Sequence, residues 1–296
     1  MPRFPFVQVD VFTSRPFEGN QLAVFTDAAG LTADQMQAIA REMNFSETTF
    51  VIPAADRAPG SAEEHRVRIF TVAEELPFAG HPTLGTAAVL HGISGGNVIW
   101  LDLKAGKIPV QFEPPTNGNG TAFGEMRQPD PEFGSIHSRN DVARILGLSP
   151  EGIRGDLPIQ TVSTGLPFVI VPLSTLRLIQ GLHIDFVQAA AYLERTDGKF
   201  FYFVSRETVD PQARLHARMI FYNGEDPATG SAAGDCIAWM VAHGVARPGE
   251  RVLIEQGLEM RRPSQIFVRG DKEGDRIVNI RVGGHTIEVA RGELNF

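Results

Sequence analysis

Short apolar segments dominate the hydrophobic pattern of the chain. In the first half they predict strands at 6–12, 21–25, 45–52, 65–70, 97–103 and 107–112. In the second half they predict strands at 168–171, 200–204, 251–255, 265–268, 277–282 and 285–290. Helical spacing is confined to about five segments, and many short strands with few helices predict the α+β class rather than a doubly wound parallel sheet.

The helix predicted after residue 32 has the clearest start and end signals. Thr32 and Gln35 have the spacing of a capping box. Apolar side chains follow on one helical face, and we expect the helix to end near Asn44. Two further helices are predicted at 140–147 and 185–193.

Two stretches of the chain, 68–92 and 218–244, look like copies of each other. Arg, Glu, Pro and Gly recur 150 residues apart, at 68/218, 75/225, 77/227 and 80/230, and His81 is matched by Ser231. Each copy predicts a strand, a polar turn, a Pro-x-x-Gly corner and an apolar helix that ends in His-Gly. The repetition predicts a duplicated structural unit.

The corners suggest an anion-binding function. The first turn of a helix carries unpaired N–H groups and partial positive charge, and glycine lets a ligand approach the backbone. Two copies therefore predict two helix N-termini that bind one carboxylate or phosphate ligand. The alternative is that Pro-x-x-Gly only turns the chain into a helix.

Glu47 is a candidate for proton transfer. The strand period places it on one face with Phe45, Thr49 and Val51. If that face points inward, burial raises the pKa of Glu47 toward a range useful for acid/base catalysis. The alternative is a glutamate at a strand edge in solvent.

Composition narrows the class of protein. The 296 residues suggest about two domains, and the net charge of −8 disfavours nucleic acid or an anionic membrane as partner. The single cysteine, Cys236, fits a reducing compartment without internal disulfides. No secretion signal and no apolar run of about 18 residues stand in the sequence, so we expect a soluble cytoplasmic protein.

The motifs of common cofactor and metal enzymes do not occur in the sequence. It contains no phosphate-binding loop, no dinucleotide fingerprint, no His-Glu-x-x-His, no Cys-x-x-Cys and no Gly-x-Ser-x-Gly, and the eight histidines lack metal spacing. His91 and His243 precede glycines at predicted helix ends, where they suit a capping role. If the protein is an enzyme, we expect chemistry without metal or cofactor.

Several segments, in order, resemble the PhzF family of phenazine biosynthesis. They are 9–12 (Val-Asp-Val-Phe), 18–24 (Glu-Gly-Asn-Gln-Leu-Ala-Val), 44–50 (Asn-Phe-Ser-Glu-Thr-Thr-Phe), 80–81 (Gly-His) and 225–231 (Glu-Asp-Pro-Ala-Thr-Gly-Ser). The wider group is similar to diaminopimelate epimerase and proline racemase. The resemblance implies two pseudo-symmetric domains, each a curved, mostly antiparallel, barrel-like sheet around a central helix, with an active site in the cleft between them and usually a homodimer.

The domains are expected at 1–130 and 131–296, unless the last strands return to the N-terminal lobe. The segment 124–134 contains two prolines and is the best boundary in the sequence. The resemblance implies that Glu47 is the catalytic acid/base and that His81 is the polar residue of the first corner. It implies that Asp226 and Ser231 are the polar pair of the second corner. The residues that it implies for substrate binding are Gly80, Thr229, Gly230 and Ser46.

The family reaction is a proton shift within a small cyclic dienoic acid. The resemblance therefore implies an isomerase of a small carboxylic acid that needs neither metal nor cofactor. The epimerase relatives use one cysteine at each corner, but Ala79 and Thr229 stand there, which disfavours a two-thiol racemase. A one-base epimerase or dehydratase, and a non-catalytic protein that binds an anionic metabolite, remain alternatives. The apolar segment 76–79 departs from the expected corner, so the family's best-known substrate is not safely inherited.

Overall fold

The computed structural model describes residues 1–53, 64–114, 121–221 and 224–296. The sequence also predicts a polar connection at 54–64 and a loop at 113–121, and both lie mostly outside these residues. The chain divides into two compact units, residues 1–127 with 283–296, and residues 128–282. Among the described residues, no helix has the length and apolar character needed to cross a membrane.

Among the described residues, the first unit contains two helices, eight complete strands and most of a ninth. The helices are α1 Ala33–Met43 and α2 Gly80–Ser94. The strands are β1 Arg3–Val11, β2 Asn20–Phe25, β3 Glu47–Ile52, β4 Glu64–Phe70, β5 Glu75–Leu76, β6 Val98–Leu103, β7 Gly106–Phe112, β8 Ala122–Arg127 and β17 Arg276–Asn295, whose first residues belong to the second unit.

The strands of the first unit close into a barrel. β17 pairs with β1, the series continues through β2, β3, β4, β6 and β7 to β8, and β8 pairs with β17, which makes a ring of eight strands. α2 packs against β1, β2, β3, β6 and β8. Because this helix is apolar and buried along most of its length, it forms the centre of the unit.

Helix α1 covers a different face of the same sheet. Thr32 and Gln35 form the expected capping box, and Asn44 ends the helix in the left-handed conformation at φ 53°. Met36 and Ile39 pack with Phe50 of β3 in one apolar cluster. The predicted start, end and buried face of α1 are thus confirmed.

In the part that the structure describes, the second unit contains four α-helices and the remaining strands. The helices are α3 Arg139–Ile145, α4 Leu176–Gln180, α5 Phe186–Leu193 and α6 Gly230–Ala242. The strands are β9 Glu132–His137, β10 Ile159–Ser163, β11 Pro167–Leu173, β12 Phe200–Ser205, β13 Ala213–Phe221, β14 Gly224–Asp226, β15 Val252–Gln256 and β16 Ser264–Glu273. α6 packs against β10, β11 and β16. Residues of α3, α4 and α5 share a separate apolar cluster with β11 and β12.

The two units repeat one topology. In the first unit the pairings alternate between antiparallel and parallel, starting antiparallel, in the order β1–β2, β2–β3, β3–β4, β4–β6 and β6–β7. In the second unit the orientations alternate in the same way, in the order β10–β11, β11–β12, β12–β13, β13–β15 and β15–β16. Ile69 pairs with Leu76, and 150 residues on Met219 pairs with Asp226. The duplication predicted from the corners is confirmed, and so is the α+β class.

The repeated Arg–Glu pairs explain why these residue types recur. Arg68 donates two hydrogen bonds to Glu75, at 2.8 and 2.9 Å, across the β4–β5 pair. Arg218 donates two to Glu225, at 2.8 and 2.7 Å, across the β13–β14 pair. Such a bidentate pair fixes a short hairpin beside each helix start.

Several features of the fold differ from the sequence prediction. The strands β5, β8, β9, β10 and β14 and the helix α4 were not predicted. The segments 277–282 and 285–290, predicted as two strands, belong to the continuous strand β17. A Cβ on Gly283 would lie 2.6 Å from the carbonyl oxygen of Gly124 in β8. This glycine therefore permits close approach of a neighbouring strand and does not mark a turn.

Candidate active site

Glu47 and His81 are neighbours in the first unit. Glu47 is the first residue of β3 and pairs with Leu22 of β2, while His81 is the second residue of α2. His81 Nδ1 lies 3.5 Å from Glu47 Oε2. The same nitrogen lies 3.2 Å from the amide nitrogen Nδ2 of Asn20, a buried residue at the start of β2. The structure thus joins two predicted residues with a third that was given no role.

The face of β3 that carries Glu47 points toward α2. Thr49, two residues further along, forms a 2.8 Å hydrogen bond with Thr86 of α2. Phe50 on the opposite face packs into the cluster with α1. The side chain of Glu47 is 15% exposed, so a solvent-exposed strand edge is not what the structure shows.

His81 is buried and neutral. Burial lowers its pKa to about 3, although the nearby backbone carbonyl of Gln21 opposes the shift. Its Nε2 atom is buried and has no hydrogen-bond partner among the residues that the structure describes. A buried polar atom without a partner is costly, so this nitrogen is a candidate to bind a polar atom of a ligand.

The start of α2 receives no cap from the side chain that precedes it. Ala79 precedes the helix in extended conformation and supplies no side-chain cap, and the first turn holds no acidic residue. Gly80 is the first helical residue, as the anion-binding prediction requires. Ser46 is exposed and precedes Glu47 directly.

The remaining predicted residues lie together in the second unit. Thr229 Oγ1 donates a 2.6 Å hydrogen bond to Asp226 Oδ2. Gln256 is fully buried, and its Nε2 donates to the backbone carbonyl of Asp226 at 2.8 Å and to Thr229 Oγ1 at 3.0 Å. Tyr202 holds Gln256 in turn through a 3.0 Å hydrogen bond to Oε1. The conformation of this corner is therefore fixed by buried polar side chains.

Helix α6 starts at Gly230 and Ser231, 150 residues after the start of α2. Gln128 Nε2 donates to the Gly230 carbonyl at 3.0 Å. Thr164 Oγ1 lies 2.7 Å from both Gln128 Oε1 and Asp235 Oδ1. The single hydroxyl hydrogen can serve only one of these oxygens, so both contacts are hydrogen bonds when Asp235 is protonated.

Burial favours that protonated state. It raises the pKa of Asp235 well above its usual value, against the opposing hydrogen bonds from Thr164. Cys236, the next residue, is also fully buried, and burial raises the pKa of its thiol. A protonated thiol is a poor nucleophile, so Cys236 belongs to the packing of α6.

A buried charge cluster lies behind the second corner. His216 Nδ1 donates to Glu255 Oε1 at 2.8 Å, and Nε2 donates to Glu259 Oε1 at 3.0 Å. Arg218 Nε lies 3.9 Å from Glu259 Oε2. Burial alone lowers the pKa of His216, but the bonds to Glu255 and Glu259 outweigh it and raise the pKa from 6.5 to about 9. The imidazole is therefore a charged part of the fold.

This cluster predicts a stability that declines in alkaline solution. The pKa of His216 is higher in the folded than in the unfolded state, so its contribution is complete below pH 6.5 and is lost as pH rises through about 9. We expect urea unfolding at pH 6.5 and 9.5 to show a smaller free energy of unfolding at the higher pH. His216→Gln should flatten this dependence, and His183→Gln, which changes an exposed histidine, should not. Equal pH dependence in wild type and His216→Gln would contradict the prediction.

Sequence reasoning missed the residues that support the site. Asn20 stood in a recognised motif but received no role, and its contact with His81 spans 61 positions of sequence. Gln256 and Gln128 could not be identified from the sequence, because neither glutamine belongs to a recognisable motif. Within the described ranges, no group of three or more His, Cys, Asp or Glu side chains has an arrangement that could hold a metal ion.

Comparison with known proteins assigns the family. The family model for phenazine biosynthesis-like proteins, PhzC-PhzF, matches residues 9–292. The trans-2,3-dihydro-3-hydroxyanthranilate isomerase of Pseudomonas chlororaphis is 34% identical over 98% of each chain. The enzyme of the same name from Pseudomonas fluorescens is also 34% identical, over 98% of each chain.

Solved structures agree. A PhzF-family phenazine biosynthesis protein of Bacillus anthracis superposes with a TM-score of 0.87 at 27% identity, over 100% of both chains. A protein of Pseudomonas aeruginosa described as a predicted epimerase gives 0.83 at 36% identity, over 98% of this chain and 99% of the other. The chain therefore belongs to the PhzC-PhzF family of phenazine biosynthesis-like proteins, and it is an isomerase.

Proposed function

We propose that this protein isomerises a small cyclic carboxylic acid by moving a proton between two carbon atoms, with Glu47 as the general acid/base and no cofactor. The observation that carries the proposal is the contact between Glu47 and the buried, neutral His81 at the start of α2. The names of the isomerase relatives support the class of substrate, an amino-substituted cyclic dienoic acid.

In this proposal Glu47 takes a proton from the activated carbon and delivers it, or one exchanged for it, to a second carbon. Its side chain is only 15% exposed, which limits exchange with solvent during transfer. His81 cannot supply a cationic acid because burial keeps its pKa near 3. A neutral imidazole can still donate a hydrogen bond to an oxygen of the substrate on which negative charge develops.

We further propose that the second corner binds the ends of the substrate. The amides of Gly230 and Ser231 at the start of α6 would hold the carboxylate, and the backbone of Gly80 at the start of α2 would also hold the ligand. Asp226 would accept from the substrate's amine or hydroxyl. The hydroxyl hydrogen of Thr229 is engaged with Asp226, so its part in binding would be to orient that carboxylate.

The test is turnover of trans-2,3-dihydro-3-hydroxyanthranilate and of a panel of small cyclic and amino carboxylic acids, followed by NMR in deuterated water. The proposal expects a product with a shifted double bond and an unchanged molecular formula. A product that differs only in configuration would favour a one-base epimerase, and loss of water would favour a dehydratase. Binding of these acids without turnover of any of them would contradict the proposal.

Homodimer formation and a cytoplasmic location belong to the same proposal. Both are implied by the family resemblance and neither is used in the chemistry above. Sedimentation equilibrium of the purified chain tests the dimer, since a homodimer has twice the mass of the 32.3 kDa chain.

A further inference from the structure

Asn20 occupies a position that the chain fixes from several sides. It is 1% exposed and pairs with Val11 across the β1–β2 ladder. Gly19 before it has a φ of +68°, and a Cβ there would lie 2.3 Å from the Val11 carbonyl oxygen. Asp10 closes the same loop by accepting a 2.7 Å hydrogen bond from the Phe17 amide. The loop thus presents the Asn20 side chain in one place.

The amide of Asn20 meets one particular nitrogen of His81. Its Nδ2 lies 3.2 Å from His81 Nδ1. An amide NH₂ group only donates, so Nδ1 accepts, and the one proton of a neutral imidazole is then on Nε2. Nε2 is the buried atom that has no partner in the described part of the chain. In this tautomer the Nε2–H of His81 is a donor with no partner at hydrogen-bond geometry among the described residues, and the Gln21 carbonyl is the acceptor nearby that a substrate oxygen would replace.

We propose that Asn20 is a positioning residue that holds His81 in the Nε2–H tautomer, so that His81 donates a hydrogen bond to the substrate. This inference rests on the proposed isomerase function. It gives a physical role to the Gly-Asn sequence at 19–20, which is part of the segment 18–24 that resembles the family.

In the opposite tautomer Nδ1 would become the hydrogen-bond donor of the ring and Nε2 the acceptor. A proton on Nδ1 would point to Glu47 Oε2, 3.5 Å away, and would compete there with the proton in transfer. Nε2 would then present a lone pair, which repels a substrate oxygen that gains negative charge. Only the Nε2–H form leaves Glu47 to the substrate and provides a donor at the buried edge.

The tautomer is measured directly by ¹⁵N NMR of histidine-labelled free enzyme. The His81→Gln spectrum assigns the signals of His81. We expect Nε2 to have the chemical shift of a protonated ring nitrogen and Nδ1 that of an unprotonated one. The reverse pattern in wild type would overturn the proposal, and because no substrate is present, it would do so whether or not the isomerase function holds.

Two variants test the role of the amide. In Asn20→Leu, which is nearly isosteric and cannot donate, we expect signal from the Nδ1–H tautomer and a fall of about 10²- to 10³-fold in kcat, the usual effect of losing one donor to developing charge, with a smaller change in KM. In Asn20→Asp the carboxylate accepts from Nδ1 and should shift the tautomer further. Gln37→Ala, which removes an amide donor to the Thr71 carbonyl elsewhere in the unit, is the matched control and should keep both the tautomer and kcat.

The wild-type tautomer needs no variant, so the proposal remains testable if Asn20→Leu does not fold. A folded Asn20→Leu enzyme with the wild-type tautomer and the wild-type kcat would overturn it. A shifted tautomer with unchanged turnover would also overturn the positioning role, because the substrate would then not depend on the Nε2–H donor.

Discussion

Replacement of Glu47 by glutamine should lower kcat by about 10²- to 10⁴-fold, the range expected for loss of one acid/base group. Glutamine keeps the shape of the side chain and its polar contacts but cannot take up or release a proton. Because glutamine is nearly isosteric with glutamate, we expect little change in folding even though the side chain is only 15% exposed. Steady-state kinetics on the identified substrate measures the effect, and KM should change much less than kcat.

The control for this variant is Glu42→Gln. Glu42 is an exposed residue of α1, so the same chemical change there should leave kcat at the wild-type value. Equal activity of Glu47→Gln and Glu42→Gln would show that the carboxyl group of Glu47 takes no part in the rate-limiting chemistry.

The duplicated ion pair gives the second large prediction. Arg218 and Glu225 side chains are 9% and 14% exposed, and Arg218 also donates to the Ile179 carbonyl at 2.7 Å. In Arg218→Met, Glu225 loses its partner in a buried place, so the free energy of unfolding should fall by about 3–5 kcal/mol. Chemical denaturation at neutral pH measures this loss.

The Arg68–Glu75 ion pair is an internal control for the Arg218–Glu225 ion pair. Arg68 and Glu75 form the same bidentate pair at the equivalent positions, but both side chains are 25% exposed. Water compensates part of a broken pair there, so Arg68→Met should cost about 1 kcal/mol. Equal losses in Arg68→Met and Arg218→Met would mean that burial does not set the strength of these pairs.

The sequence predicted the repeated architecture because the repeat is local in nature. Arg, Glu, Pro and Gly recur at a fixed spacing, and each copy is a continuous stretch that folds into a strand pair and a helix. The capping box at Thr32 is local as well. Such features need no knowledge of distant parts of the chain.

Long-range packing explains what the sequence did not predict. β8 carries Gly124 between Phe123 and Glu125, and its strand conformation depends on pairing with β7 and β17. In the sequence Gly283 suggests a turn, but in the structure it lies against Gly124 of the neighbouring strand. A glycine pattern alone cannot distinguish a turn from a close approach of two strands.

In the candidate site, too, the sequence indicated local motifs but not contacts between residues far apart in the chain. Glu47 and His81 could be named from a family motif, and the structure adds that they are neighbours. The support of His81 by Asn20 and of Asp226 by Gln256 arises from side chains far apart in sequence. The neutral state of His81 follows from burial, which no motif expresses.

The most direct test of the central claim is the rate at which deuterium from solvent enters the turned-over substrate, measured for wild type and Glu47→Gln in deuterated water. If Glu47 carries the proton, a share of the protons it takes up exchange with solvent before delivery to the second carbon, and the glutamine variant should incorporate label at least about 100-fold more slowly than wild type. Incorporation at the wild-type rate in Glu47→Gln would show that another group moves the proton.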